Sequence, residues 1–445
     1  MKKLNDNNKL AIRMLIAMIA GILVGLVFMA VRENAGEGVW RTIHSLLFAD
    51  ITAAGNEQAI GLFYIGGQLF IRSLQLIIVP MVFTSVVMAI SEINEAATLG
   101  RISAKTVGWF LMTTLIALTV AGTISLICFN LGVFNVQIEG VEGASGSTGA
   151  NPLKVILDIV PSNIGATFSV NNAVLGVVFL AVVVGLGLNT LGTGKESTTY
   201  RLCEEISRII VVFLNFMVKK FGPAAIFMLL CRTFATYGID YLKPAVNYVV
   251  LCVALLLAYL FIGYPLYAAV FCKANPFRFI RKVFKVIVFG FSTSSSAATL
   301  PLNLDTTTKD LGVDHQIASF VLPLGMTINM DGTAIMQVVA TLFIAGCGGY
   351  DVSVFQLVVI MVLALIASIG TPAAPGAGAV ILFTILSGVG FAGSEQALIA
   401  YALILAINRP IEMLVTSLNV TGDALTAMAV AKSEGKLDME VFNRK

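Results

Sequence analysis

The chain has 445 residues, of which 58% are hydrophobic and 12% charged, with a mean hydropathy of +0.92. Soluble domains carry about 25% charged residues, so this composition excludes a soluble enzyme, a nucleic-acid binder, a disordered protein and a secreted disulfide scaffold. The net charge of +3 indicates no partner, and the six cysteines, without a CxxC pair, read as small core residues.

Apolar runs recur from Leu10 to Lys432, enough to cross a bilayer many times. The first, about 10–31, follows a basic start and precedes Arg32-Glu33-Asn34 without a small-residue cleavage site, so it reads as a retained helix. Further spans are expected at about 60–95, 106–132, 170–191, 203–236 and 244–271. Then come an interrupted region at 279–303, a span at 316–346, a second interrupted region at 353–391 and a last span at 394–431. Basic residues cluster after alternate spans (Arg101 and Lys105; Lys195 and Arg201; Lys273, Arg278, Arg281, Lys282 and Lys285; Lys432 and Lys436). Segments 136–152 and 346–352 are poor in them. This bias predicts that both termini are cytoplasmic. Lys219 and Lys220 fit less neatly; they snorkel, or they mark a break before Gly222-Pro223.

The interruptions carry the chemistry. Backbone leaves a helix at membrane depth only where protein or a wet cavity satisfies it. Phe291 to Pro301 (FSTSSSAATLP) and Ile369 to Gly378 (IGTPAAPGAG) each lie between apolar arms, as hairpins that dip in and return would. Paired interruptions of this kind point to a transporter's binding site; a small-residue packing face and an ordinary loop are the plainer readings.

Between them, Thr327 to Thr333 reads TINMDGT. An Asp at this depth is costly and calls for a cationic partner. Unwinding at Asn329 and Gly332 would free carbonyl oxygens beside Asp331, the ligand set of a hard cation; the alternative is that Asp331 caps a broken helix. In the last span Glu412, Thr416, Asn419 and Asp423 share one face, with Arg409 beside it, so that face must meet protein or a cavity. Arg409 and Glu412, three apart, also suit mutual neutralisation. GTGKES at 192–197 lacks the P-loop's first glycine, the sequon Asn419-Val420-Thr421 lies within a span, and His44 and His315 suggest no role.

With NMDGT at 329–333, SSSAATLP at 294–301, SIGTPAAPGAG at 368–378 and LNVTGD at 418–423, nearly the whole chain resembles the sodium-coupled dicarboxylate/amino-acid symporter family of glutamate and neutral amino-acid transporters. The resemblance implies an all-α membrane protein of eight transmembrane helices and two re-entrant hairpins, assembled as a homotrimer in the plasma membrane. Residues 1–105 and 136–240 would be scaffold helices one, two, four and five. Residues 106–135 (helix three) and 241–445 (helix six, hairpin 1, helix seven, hairpin 2 and helix eight) would form a transport domain that moves as an elevator, with the glycine-rich hairpin as outer gate.

Three sodium sites are implied as cargo sites. One uses carbonyls of Gly325, Asn329 and Asn419 with the Asp423 carboxylate. A second uses carbonyls of Thr327, Ser368, Ile369 and Thr371 near the Met330 sulfur. The third uses Thr113, Asn329, Asp331 and Thr114, with Phe110 where the family often has Tyr. Implied substrate contacts are Ser294, Ser295 and Ser296, the backbone from Ala374 to Gly378, Thr333, Glu412, Val415, Thr416 and Asn419. Acidic-substrate members have an Arg at the position of Val415, or from the serine-rich hairpin where this chain has Ser294, and Glu412 stands where an Asp holds the amine. A carboxylate grip needs a guanidinium, so a small neutral amino acid (Ser, Thr, Ala or Cys) is expected. An acidic amino acid or C4-dicarboxylate, coupled to sodium or protons, stays open through Arg409 and the triple serine, and a passive channel is the reading from another class.

Overall fold

The computed structural model describes residues 2–52, 55–92, 100–135, 160–169, 173–192, 196–238, 242–369, 371 and 376–444; the loop 136–152, Lys195 and Ala374 lie outside them. Among the described residues the regular structure is helical, and the β-pairing is a single isolated bridge, Val313 to Leu437.

The principal helices are α1 (Lys2–Asn34), α2 (Leu62–Leu76), α3 (Ile78–Glu92), α4 (Gly100–Asn130), α5 (Val174–Thr190), α6 (Thr198–Phe216), α7 (Gly222–Tyr237), α8 (Leu242–Ala258) and α9 (Tyr264–Cys272). They continue with α10 (Pro276–Thr293), α11 (Ser296–Lys309), α12 (His315–Ile328), α13 (Asp331–Cys347), α14 (Val354–Ile369), α15 (Ala377–Gly388), α16 (Glu395–Ile407) and α17 (Arg409–Ser433). Their starts carry ordinary signals: Ser197, Asn275, Asp314 and Ser394 accept N-cap bonds, and Pro223, Pro265, Pro276 and Pro410 sit in first turns. Lys219 and Lys220, for which snorkelling or a break were the two readings, lie in a π-helical turn, Met217–Phe221, that continues into α7, and a second such turn, Tyr259–Gly263, joins α8 to α9.

The span expected at 394–431 is two helices, because the chain bends at Asn408 ahead of Pro410. Pro410 has no N–H to donate back to the Ala406 carbonyl, so the helical ladder is interrupted across Asn408.

Six stretches among the described residues are long and apolar enough to cross a membrane: Ile16–Asn34, Ala104–Asn130, Thr198–Thr236, Pro244–Cys272, His315–Cys347 and Arg409–Ser433. They differ in exposure: the last two are 94% buried within the protein and Ile16–Asn34 only 17%. The polar faces of α12, α13 and α17 are therefore lined by protein, as the cost of polar groups in hydrocarbon demands. Around α17 pack α9, α10, α11, α12 and α13, while α4 packs along α13.

Apart from these, α1 lies along α7, and α3 along α5 and α6. Gly21 and Gly25 let α1 approach α7 closely: a Cβ on Gly25 would stand 2.7 Å from Phe234 Cβ and 2.9 Å from the Cys231 carbonyl oxygen. This small-xxx-small pair replaces side-chain volume with backbone contact, the main attraction open to helices in lipid. Gly25→Leu should destabilise the protein by about 1–3 kcal/mol and lower its melting temperature in detergent. Gly187→Ala, where an added Cβ meets nothing within 4 Å, should leave it unchanged.

Candidate functional site

The helix breaks where α12 meets α13. Asn329 (φ −83°, ψ 91°) and Met330 (φ −122°, ψ 43°) leave the helical region, and Asp331 opens α13. A break of this kind exposes the terminal carbonyls of α12 and the first N–H groups of α13. Asp331 sits at the positive end of α13, fully buried. One carboxylate oxygen accepts a bond from Thr114 Oγ1, the other from the Tyr264 hydroxyl at 2.8 Å. Thr113 and Thr114 both also turn their hydroxyls to the Phe110 carbonyl, and Tyr259 donates to the Thr113 carbonyl at 2.6 Å.

The second carboxylate, Asp423 on α17, is 3% exposed. Asn329 Nδ2 donates to Asp423 Oδ1 at 2.9 Å and to the Asn419 carbonyl at 3.2 Å, while buried Asn329 Oδ1 has no hydrogen-bond partner. Gly325 faces the same spot: a Cβ there would lie 2.5 Å from Asp423 Oδ1 and 2.9 Å from Phe110 Cζ. Among the described residues no Lys or Arg pairs with either aspartate. The side chains that meet Asp331 are hydroxyl donors. Two neighbouring buried carboxylates, an unpaired amide oxygen and the exposed end of a helix form an oxygen-rich cradle suited to a hard monovalent or divalent cation.

Asn419 joins the two sides. Its Oδ1 accepts from the Gly332 N–H at 2.8 Å, and its Nδ2 approaches the Met330 sulfur at 3.2 Å and Thr333 Oγ1 at 3.3 Å. Thus Gly325, Asn329, Met330, Asp331, Thr333, Asn419, Asp423, Thr113 and Thr114 form one neighbourhood. Thr327, Ser368 and Thr371 instead turn their hydroxyls to carbonyls of α12 and α14, and Ile369 ends α14; the Thr371 N–H donates to the Ser368 carbonyl at 3.0 Å, while among the described residues no hydrogen bond joins Thr327 to this group.

The first interrupted region contains a reversal. Helix α10 ends at Thr293, Ser294 adopts φ 49° and ψ 34°, Ser295 caps α11, and α11 starts at Ser296. The tip thus presents the N–H groups of a helix start, a place that suits a carboxylate. Ser294 Oγ is buried without a partner. Ser417 Oγ donates to the Ile287 carbonyl at 2.9 Å and Asn303 Nδ2 to the Val420 carbonyl at 2.8 Å, binding both arms to α17. In the other region α15 begins after Gly376 (φ 89°). Gly378 lies against α13, where its carbonyl accepts from Gln337 Nε2 at 3.3 Å and an added Cβ would meet Met336 Cε at 3.1 Å and Thr333 Cγ2 at 3.3 Å.

At the start of α17, Arg409 Nη1 lies 3.5 Å from Glu412 Oε2, with both side chains buried. Val415 is 6% exposed, and Thr416 donates to the Glu412 carbonyl at 3.0 Å. Tyr264, Tyr259, Gln337, Asn303 and Ser417 are participants that sequence reasoning missed. Tyrosines in an apolar span read as packing, and the one available signal was their clustering at Tyr259, Tyr264 and Tyr267.

The architecture is that of an integral membrane protein whose helices break around buried carboxylates. Residues 10–433 match the sodium:dicarboxylate symporter family, and the chain belongs to that family. It is therefore a transporter and not an enzyme, and by the family's description the co-transported ion is sodium. It is similar to a proton/glutamate-aspartate symporter of Escherichia coli (28% identical, covering 98% of this chain and 95% of that one). It is also similar to a proton/sodium-glutamate symport protein of Bacillus caldotenax (28%; 90% and 95%) and to human neutral amino acid transporter B(0) (28%; 94% and 79%).

Gly325→Ala places a methyl group in the cradle and should weaken sodium-dependent thermal stabilisation of the purified protein by about tenfold or more in apparent affinity. Gly108→Ala, where an added Cβ meets nothing within 4 Å, should retain it.

Proposed function

We propose that the protein is a sodium-coupled symporter for a small amino acid, most suitably a neutral one. The observation that carries this reading is the buried pair Asp331 and Asp423 around the Asn329–Met330 break, without a basic partner among the described residues. Sodium at Asp423 would draw on the Gly325, Asn329 and Asn419 carbonyls, and sodium at Asp331 on Thr113, Thr114 and Asn329. Thr327, Met330, Ser368, Ile369 and Thr371 are a third proposed set. The substrate's α-carboxylate would lie at the helix starts after Ser294–Ser296 and at the Ala374–Gly378 backbone. Its amine would face Glu412, and Thr333, Thr416 and Asn419 would complete the site. Asn419 bonds Gly332 on the cation side and shares the polar face of Thr416 and Glu412, so ion and solute occupancy are coupled, and reciprocally so.

Val415 supports a neutral side chain, since no guanidinium stands there to grip a second carboxylate. One observation favours a dicarboxylate instead: Glu412 lies against Arg409, which leaves less of its charge for an amine. The Arg409 contact is long and reaches one carboxylate oxygen only, so the amine reading is kept as the primary one. The packing supports a division into a scaffold (1–105, 136–240) and a transport domain (106–135, 241–445), because α10–α13 gather around α17 while α1 packs chiefly on α7, and α3 chiefly on α5 and α6. We further propose eight spans with two re-entrant hairpins, a homotrimer, elevator movement and cytoplasmic termini.

Asp423→Ala should abolish sodium-dependent substrate binding, measured with radiolabelled serine on purified protein. In liposomes, an inward sodium gradient should drive serine above its external concentration; downhill flux alone would identify a channel. Displacement by succinate rather than by neutral amino acids would overturn the choice of substrate.

A further inference from the structure

The start of α17 contains a side chain that the reading above leaves unused. Arg409 is the first residue of α17 and is 8% exposed. A cation at a helix N-terminus opposes the helix dipole, so α17 gains nothing from it there. A guanidinium has five N–H donors in a rigid fork. Here one of them reaches Glu412 Oε2, at 3.5 Å, and Nε is buried with no acceptor. A buried charged donor left unmet is costly, and this one stands beside the residue that faces the substrate amine. Asn408, just before it, is held by the Tyr248 hydroxyl, which donates to Asn408 Oδ1 at 2.7 Å. The backbone N–H of Ala379 in the second hairpin lies against the Glu412 carboxylate. Arg409 and Glu412 are thus placed where α17 meets the glycine-rich hairpin.

Charge decides what Arg409 can receive. Glu412 already balances it, so the pair is neutral as a unit. A substrate side chain bearing a carboxylate would add an unbalanced negative charge to a buried site. A hydroxyl or amide oxygen would meet the free guanidinium donors without adding charge. A plain methyl would leave those donors unmet, as they are without substrate. We infer that Arg409 is a specificity-determining residue that donates to a neutral oxygen on the substrate side chain, so the cargo is a small polar, uncharged amino acid, preferred over alanine and over aspartate. This rests on the amino-acid symporter reading and narrows it. Val415, 6% exposed and three residues beyond Glu412, would line the apolar remainder of the pocket.

The test uses the full-length protein, purified and reconstituted, with radiolabelled serine as probe and unlabelled serine, asparagine, alanine and aspartate as competitors at fixed sodium. The wild type should be displaced by serine or asparagine at about tenfold lower concentration, or less, than by alanine, and aspartate should compete poorly. Arg409→Lys keeps a charge opposite Glu412 but loses the planar fork, and should bring serine and alanine within about threefold of each other. Arg409→Met should do the same; if it fails to fold, the Lys variant and the wild-type ratio decide. Equal competition by serine and alanine in the wild type, stronger competition by aspartate, or an unchanged ratio in Arg409→Lys would overturn the assignment. Sodium-dependent thermal stabilisation without substrate is read in parallel. Sodium binding and serine uptake with no serine preference would refute Arg409's role alone, whereas loss of both in the wild type would refute the symporter reading with it.

Discussion

Two carboxylates buried without a basic partner set the terms for the rest of this molecule. Moving an ionised group out of water costs several kcal/mol even after the protein relaxes, and Asp331 and Asp423 are 0% and 3% exposed. The fold meets part of that cost locally. Asp331 stands at the positive end of α13 and receives two hydroxyl bonds; Asp423 receives the Asn329 amide. Hydroxyls and one amide donate hydrogen bonds without supplying a positive charge. The break at Asn329–Met330 interrupts the helix next to them: Asn329 bonds Asp423 with its side chain, and the chain re-enters the helix at Asp331.

The surrounding helices keep that site away from lipid. Helix α17 is encased by α9, α10, α11, α12 and α13, and its polar stripe runs from Glu412 near the glycine-rich hairpin to Asp423 near Gly325. Hairpin arms that bond directly to α17, through Ser417 with Ile287 and Asn303 with Val420, tie the serine tip to the same helix that holds Asp423. Gly378 does the equivalent for the second hairpin against α13. The unwound turn, the arms of both interrupted regions and the polar face of α17 are thus joined by direct side-chain and backbone contacts.

Much of this was legible in the sequence, for identifiable reasons. TINMDGT placed a carboxylate, an amide and a glycine inside an apolar span, and each works against a continuous helix at that depth; the break lies at Asn329–Met330. FSTSSSAATLP lies at a reversal because hydroxyl side chains can satisfy freed backbone groups, and Ser295 caps α11. The Arg409–Glu412 contact follows from their spacing of three. The split at Asn408 is easy to overlook because an apolar run leads up to it and a helical polar face continues beyond it, which hides the effect of Pro410. Tyr264 was missed because an aromatic side chain in a lipid-crossing span has a packing explanation ready. Gly21 and Gly25 carried a close-approach signal, yet in a glycine-rich chain that signal is weak without knowledge of the partner helix. For the set of Thr327, Ser368, Ile369 and Thr371, residue type alone does not fix where main-chain oxygens point.

A cation that completes the coordination of Asp423 and Asp331 is what this structure calls for above all. Its most direct measurement is a crystallographic experiment with thallium replacing sodium, read by anomalous scattering. Peaks should stand beside the Asp423 carboxylate, among the Gly325, Asn329 and Asn419 carbonyls, and beside Asp331 near Thr113 and Thr114, both lost on return to excess sodium. A map with no anomalous signal there, and both carboxylates satisfied by protein donors alone, would contradict it.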